Sequence, residues 1–316
     1  MKANPSGILA LISAVILALI LALCLSSSIL AQSPTRVAIV DLAGDDKDEV
    51  ATILWTVASQ FDPIDAAQTR AAVRGASYTG SLNLTRDDAR ALGGSLGCDY
   101  YVLGRIQNMR RLGAANEAYF EALAGIFLIE TRNGRLVLFD FAKARGDSEP
   151  VARTALAELV RLRVKQYTQA IRAAVDQRAR EVEAPAAPAG ELVEIIDGEV
   201  SAKGLAPPIF YQRAKPAYTD EAALADVTAT VDLTAVFGVD GRVGSIEIAR
   251  WAGYGLDETA IATARGLRFK PAERDGRPVS IRALVRYTFR RPLSGAEREA
   301  EAERLRRSLR QIQKPR

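Results

Sequence analysis

Residues 227–239 read VTATVDLTAVFGV, and this stretch decides the fold of the C-terminal part of the chain. Apolar side chains occupy every second position from Val227 to Val239, with mostly threonine, aspartate and glycine between them. Successive side chains of a β-strand point to opposite faces of a sheet, so a period of two predicts a strand with one buried face. Asp240-Gly241 then favours a tight hairpin turn, and Val243 to Ile248 supplies the returning strand.

A helix and a third strand follow this hairpin. Asp257 is placed to cap the helix, whose apolar side chains recur at the spacing of one face that would contact the sheet: Ala260, Ile261, Ala264 and Leu267. After a second turn at Asp275-Gly276, apolar residues alternate again from Val279 to Phe289, and arginines point the other way. The order strand, strand, helix, strand predicts a small α+β domain of β-β-α-β type.

Five short motifs in this region occur in the order found in the C-terminal domain of TonB, and the region resembles that family. They are Pro216-Ala217-Tyr218, Asp240-Gly241, Gly253-Tyr254-Gly255-Leu256-Asp257-Glu258, Leu267-Arg268-Phe269-Lys270-Pro271-Ala272 and Asp275-Gly276-Arg277-Pro278-Val279. Two positions depart from the family pattern, since Thr219 stands where a second proline is usual and Leu267 where tryptophan is frequent. The resemblance implies a TonB C-terminal-like domain over residues 213–291, a binding module and not an enzyme.

The resemblance also implies a way of binding. The family's domain captures a short receptor segment by adding it to the edge of a sheet, which needs only backbone donors and acceptors along an exposed strand. The expected partner is an outer-membrane receptor or another envelope protein. The candidate edge is the last strand, with Ile281, Arg282, Val285, Arg286, Tyr287, Phe289 and Arg290. Its arginines would attract an acidic peptide, or they are solvated charges that prevent edge-to-edge aggregation.

The sequence before residue 180 predicts a separate α/β domain. Arg36 to Leu42 is typical of a buried strand, Glu49 to Gln60 has helical spacing, and Asn133-Gly134 favours a hairpin turn. Three stretches resemble the N-terminal domain of TolB-like and curli-assembly-like periplasmic proteins: Val37-Ala38-Ile39-Val40-Asp41-Leu42, Asp88-Ala89-Arg90-Ala91-Leu92-Gly93 and Gly97-Cys98-Asp99-Tyr100-Tyr101-Val102-Leu103-Gly104. We therefore expect an α/β domain over residues 35–180, with a core of its own.

Three further segments complete the expected organisation. Residues 1–31 contain an uncharged apolar run at 7–25, which predicts a signal peptide or a membrane anchor. Residues 181–212 are expected to be a linker, and residues 292–316 a charged, amphipathic helical tail. The apolar run predicts export to the periplasm, with the protein either soluble after cleavage or associated with the inner membrane through residues 7–25.

Composition argues against several functions. The chain has no histidine, which removes the commonest general base and metal ligand. We expect no catalytic residue, no cofactor, no metal site and no nucleic acid partner. The favoured function is a non-enzymatic envelope adaptor, with TonB-dependent transport as the setting that the resemblance implies. The first alternative is a TonB-type energy transducer, although the apolar run lacks histidine and no long proline-rich spacer follows it. The second is an envelope hydrolase using the acidic pair Asp45 and Asp46.

Overall fold

A computed structural model describes residues 34–113, 117–183, 193–194, 204–212, 214–292 and the single positions 299, 303, 304 and 306. The predicted signal or anchor segment, most of the predicted linker and most of the predicted tail lie outside these residues. No helix within the described ranges is long and apolar enough to cross a membrane. The chain divides into two compact units, Met1–Thr35 and Arg36–Arg316, and every element named below lies in the second.

The N-terminal sheet has five strands: β1 Arg36–Ile39, β2 Asp62–Pro63, β3 Tyr100–Leu112, β4 Ala118–Glu130 and β5 Arg135–Gly146. Their order is β2-β1-β3-β4-β5, with β1 parallel to both β2 and β3. Strands β3, β4 and β5 form an antiparallel meander. The turn between β4 and β5 contains the predicted Asn133-Gly134 pair, and Gly134 has a φ of 57°, a conformation that glycine adopts without strain.

Four helices accompany this sheet: α1 Glu49–Ala58, α2 Ala66–Gly75, α3 Arg86–Leu96 and α4 Glu149–Glu183. Helices α1 and α4 pack on one face, where α4 buries Val160, Tyr167 and Ile171. Helix α3 packs on the other face and is capped by Thr85, since the Asp88 N–H donates to Thr85 Oγ1 at 3.1 Å. These elements confirm the predicted α/β architecture.

The C-terminal part contains a four-stranded sheet, two helices and short strand pairs. In chain order the elements are β6 Val193–Glu194, β7 Leu205–Ala206, β8 Ile209–Phe210, α5 Asp220–Leu224, β9 Ala229–Phe237, β10 Val243–Arg250, α6 Leu256–Arg265, β11 Phe269–Lys270, β12 Ala272–Arg274, β13 Arg277–Val279 and β14 Ile281–Phe289. The main sheet has the order β10-β9-β14-β6. Strands β9, β10 and β14 with α6 give the predicted β-β-α-β unit.

The predicted linker is partly integrated into this region. Strand β7 pairs with β12 and β8 pairs with β11, both antiparallel and in one continuous register. The two pairs are separated by Pro207-Pro208, which provide no backbone N–H. Residues 205–210 therefore form an outer strand of the C-terminal fold.

Each fold has a hydrophobic cluster of its own, but the two folds also share a third cluster. One hydrophobic cluster joins Leu123 and Phe127 of β4 to Val231 of β9 and to Trp251 and Tyr254 beyond β10. The two folds share this cluster because β4 is covered on both faces, and its residues 121–130 are buried at every position. Helices α1 and α4 cover one face, and part of the other is covered by the C-terminal fold.

Candidate functional site

Among the described residues, the predicted edge strand β14 is paired along the whole of one side and only at its start on the other. Its inner side pairs with β9 from Ile281 to Phe289, and its outer side pairs with β6 at Ile281 and Arg282. Within the described ranges, no strand pairs with the outer side from Ala283 to Phe289. Seven consecutive residues thus present backbone groups along one edge of the sheet, which is the geometry that strand addition uses.

The structure places six of the seven predicted edge residues on this strand, with Arg290 just beyond it, and divides them between two faces. Ile281 and Phe289 are buried in the core, and Val285 and Tyr287 pack against it while half-buried. The arginines at 282 and 286 lie on the opposite face, and Arg290 is exposed directly after the strand ends. An added strand would therefore meet apolar side chains on one face and cationic side chains on the other.

Asp232 holds Arg286 in place and was not singled out from the sequence. The carboxylate is 3% exposed and lies opposite Arg286 in the register of β9 and β14. Arg286 donates from Nε to Asp232 Oδ1 at 2.7 Å and from Nη2 to Oδ2 at 3.0 Å, and Arg250 donates from Nε to Oδ2 at 3.1 Å. Burial acts to raise the pKa of Asp232, but these two arginines outweigh it and hold the pKa below its ordinary value.

The opposite edge of the same sheet is engaged by the N-terminal fold. Thr85 forms an antiparallel bridge with Arg250 at the end of β10. Beside it, Asn83 donates from Nδ2 to the carbonyl oxygens of Thr230 at 2.8 Å and Trp251 at 2.5 Å, and it accepts the Thr230 N–H at 2.9 Å. The amide of Asn83 thus fixes the start of β9 against the loop before α3. The two edges differ, because β10 is anchored at this point and β14 is not.

The motif Gly253-Tyr254-Gly255 forms a loop that packs between the two folds and is called the plug loop below. Tyr254 is 6% exposed, and its ring centroid lies 4.7 Å from that of Phe139 and 5.6 Å from that of Phe141, both on β5. Burial raises the pKa of Tyr254 to about 12. A Cβ atom at Gly253 would lie 2.7 Å from a Phe139 ring carbon, so this position accepts only glycine without movement of the ring. The motif that identified the family also joins the two folds.

The predicted role of Asp257 as a helix cap is wrong. Helix α6 has Gly255 at its N-cap with no side-chain cap, and Asp257 lies inside the first turn. Its carboxylate accepts the N–H groups of Ala252 and Gly253, each at 2.8 Å. The plug loop is buried, so its N–H groups need an acceptor, and Asp257 supplies one. Burial raises the pKa of Asp257 to about 6, against the effect of these two hydrogen bonds.

A cleft of about 700 Å³ lies on the non-core face of the sheet, beside β14. Leu284 of β14, Thr234 of β9 and Glu247 of β10 contribute to its floor, and the end of α4 contributes Glu181. Arg86 of α3 crosses the cleft and pairs with Glu247 at 3.2 Å. The cleft brings the end of the N-terminal fold next to the candidate edge.

The two members of the acidic pair considered for hydrolysis lie in different environments. Asp45 is buried and accepts the Ala51 N–H at 2.8 Å, which stabilises the first turn of α1, whereas Asp46 is exposed. The two carboxylates therefore do not act on a common point. No group of three or more cysteine, aspartate or glutamate side chains is placed to hold a metal ion within the described part of the chain.

Residues 214–290 match the family described as the Gram-negative bacterial TonB protein C-terminal. This match confirms the resemblance seen in the motifs and includes the whole of β14. The family is non-enzymatic in general, and its C-terminal domain indicates a protein of the periplasm or cell envelope. The chain thus carries a TonB-type domain at these residues. No curated protein matches the chain.

Several solved structures are similar to parts of the chain at low identity. Lipoprotein GNA1162 from Neisseria meningitidis is 16% identical, with a TM-score of 0.31, over 43% of this chain and 99% of that one. The hypothetical protein CT253 from Chlamydia trachomatis is 14% identical, with a TM-score of 0.29 and the same two coverages. TolB from Acinetobacter baumannii is 12% identical, with a TM-score of 0.26, over 71% of this chain and 37% of that one.

Proposed function

We propose that the chain is a periplasmic adaptor that captures an extended peptide or partner strand along the outer edge of β14. The domain at residues 213–291 holds the partner strand, and the domain at residues 35–180 docks to an envelope assembly. The observation that carries this proposal is that no described strand pairs with the outer side of β14 from Ala283 to Phe289, on the sheet edge opposite the one that Thr85 bridges.

The side chains on β14 indicate which strand fits. On the core side, Val285 and Tyr287 are half-buried and leave apolar surface beside an incoming strand. On the other side, Arg286 is held by Asp232 and Arg290 is exposed. A peptide that alternates apolar and acidic residues would place each type on the matching face. The expected ligand is therefore an extended, acidic segment of an outer-membrane receptor or another envelope protein.

The packing of the plug loop bears on the alternative of an energy transducer. A transducer of the TonB type reaches across the periplasm through a long spacer. In this chain the C-terminal fold shares its core with the N-terminal fold within one compact unit. The geometry therefore favours an adaptor that presents its edge from a fixed base. Retention in the inner membrane through residues 7–25 is compatible with this role.

Peptides with blocked backbone groups test the mode of binding. We propose to measure the affinity of the full chain, in mild detergent, for ten-residue acidic peptides taken from the periplasmic segments of outer-membrane receptors. An added strand bonds to the edge through every second N–H group of the peptide. Two peptides are therefore compared, one N-methylated at the odd positions and one at the even positions. Methylation should abolish binding in one of them and spare it in the other. Equal loss in both phases, or no loss in either, would refute strand addition.

A photoreactive residue locates the site. It is placed at Leu284 on β14, which is 40% exposed, or at Val239 in the β9–β10 turn, which is 53% exposed. Both positions carry exposed aliphatic side chains, so Val239 is a matched control. We expect the bound peptide to be labelled from Leu284 and not from Val239. Equal labelling from both positions would place the peptide elsewhere.

A further inference from the structure

The first two positions of the candidate edge are occupied by the chain itself. Strand β6 pairs with β14 in a parallel arrangement, with Val193 opposite Ile281 and Glu194 opposite Arg282. Within the described part of the C-terminal sheet, the other strand pairs are antiparallel. Strand β6 comes from the segment that joins the two folds, so it lies outside the β-β-α-β unit.

We propose that β6 is an intramolecular competitor for the partner strand. A partner that adds along all of β14 must displace β6, and a partner that leaves β6 in place must stop at Ala283. This inference rests on the proposed function, because competition has meaning only if the edge accepts a strand. It adds an autoinhibitory contact to that function and assigns the contact to Val193 and Glu194.

The sequence around β6 has the chemistry that the edge favours. Residues 191–200 read ELVEIIDGEV, with four acidic residues and four β-branched aliphatic residues. β-Branched residues suit a pleated, half-buried strand, and the acidic residues are opposite in charge to the arginines of β14. The segment therefore resembles the ligand proposed for the edge.

Strand β6 belongs to the same chain as β14, so even a short pairing between them can compete with a partner strand. Helix α4 ends at Glu183, and Glu181 lines the same cleft as Leu284 of β14. In the sequence, nine residues, 184–192, separate this helix end from β6. A competitor in the same chain acts at an effective concentration on the order of millimolar. At this concentration the two positions at which the described residues of β6 pair with β14 compete with a free peptide.

Proline substitution separates β6 from the edge without changing β14. The variant carries Val193→Pro and Glu194→Pro, because proline removes the backbone donor and does not fit a paired strand. The control carries Ala186→Pro and Ala187→Pro, which adds two prolines to a stretch that already contains Pro185 and Pro188. The probe is a fluorescent synthetic peptide of residues 190–201, offered in trans to the full chain of each protein.

Two measurements are made on each protein. Hydrogen exchange of fragments that contain Ile281 and Arg282 reports whether β6 pairs with β14. Fluorescence anisotropy reports the affinity for the probe. In the β6 variant we expect faster exchange at these residues and an affinity roughly tenfold higher than in the wild type, the change expected from removing one or two competing ladder hydrogen bonds. The control variant should match the wild type in both measurements.

The outcomes distinguish this inference from the proposed function. Unchanged exchange in the β6 variant overturns the inference, whatever the affinity. Faster exchange with measurable but equal affinity also overturns it, while leaving strand capture intact. If neither the probe nor the receptor peptides bind to any variant, the proposed function fails and the inference fails with it. Faster exchange together with tighter binding supports both.

Discussion

Removal of the Tyr254 ring tests whether the two folds share one core. The ring lies against Phe139 and Phe141 of β5, and its centroid is 6.2 Å from that of Phe127 on β4. Truncating a buried aromatic side chain to alanine costs about 3–5 kcal/mol. We therefore expect Tyr254→Ala to lower the free energy of unfolding by about 3–5 kcal/mol. Because the contacts cross between the folds, both should be destabilised together.

The two tryptophans of the chain provide the assay. Trp55 lies in α1 of the N-terminal fold, and Trp251 lies in the loop after β10. Variants that keep one tryptophan, made with Trp55→Phe or Trp251→Phe, report on one fold each during urea unfolding. A shared core predicts that the two signals change at the same urea concentration, and that Tyr254→Ala shifts both equally.

Matched variants make this prediction refutable. Tyr211→Ala removes a tyrosine that is 68% exposed, and we expect a change within about 0.5 kcal/mol. A cycle of Tyr254→Ala with Phe139→Ala should show a coupling energy of about 0.5–1.5 kcal/mol. Two separate transitions, or a Tyr254→Ala effect confined to the Trp251 signal, would show that the folds unfold independently and that the shared core contributes little.

Three further predictions concern single residues. Asp232→Asn should cost about 2 kcal/mol at pH 7, because it weakens charged hydrogen bonds to two arginines. The cost should fade in urea titrations as the pH falls below 3.8, because Asp232 has this ordinary pKa in the unfolded chain and a lower pKa in the folded protein. The pH dependence from Asp257 has the opposite sign, because burial raises its pKa to about 6 in the folded state. Its contribution to the free energy of unfolding should therefore rise, on the order of 2 kcal/mol, as the pH falls from 7 to 4. Asp257→Asn should remove that rise. Gly125→Ala should lower thermal stability by about 1–3 kcal/mol because its Cβ would overlap Tyr254, whereas Gly94→Ala, which meets no atom within 4 Å, should raise it by about 0.5–1 kcal/mol.

The parts of the fold that the sequence predicts are those determined by local periodicity. The alternation in β9 and β14 depends on residues two apart, and both strands form with the predicted faces buried. The cap at Thr85 likewise needs only Asp88, three residues away. The candidate edge has a different origin, because strand addition at the last strand is what the resemblance to the TonB C-terminal domain implies, and it stays a prediction.

The contacts between the folds depend on residues far apart in the chain. Asn83 and Thr230 meet across more than a hundred positions, and no local pattern marks them as partners. Thr219 is an example of a residue whose role depends on such distant contacts. It stands where the family usually has a proline, and its hydroxyl accepts the Ala222 N–H and donates to the Tyr254 carbonyl at 2.5 Å. A proline could do neither, so the departure stabilises the plug loop.

The shared core also limits how the protein can act on a captured partner. Separating the two folds would expose at least Tyr254, Phe127 and Phe139, whose rings are in contact across the junction. Aromatic side chains bury about 150–250 Å² each, so at about 25 cal/mol per Å² the cost is on the order of 10 kcal/mol. That cost is comparable with the whole stability of a typical domain, about 5–15 kcal/mol. Force applied to a strand on β14 would therefore reach the N-terminal fold directly, because the C-terminal fold has no inexpensive way to move apart from it.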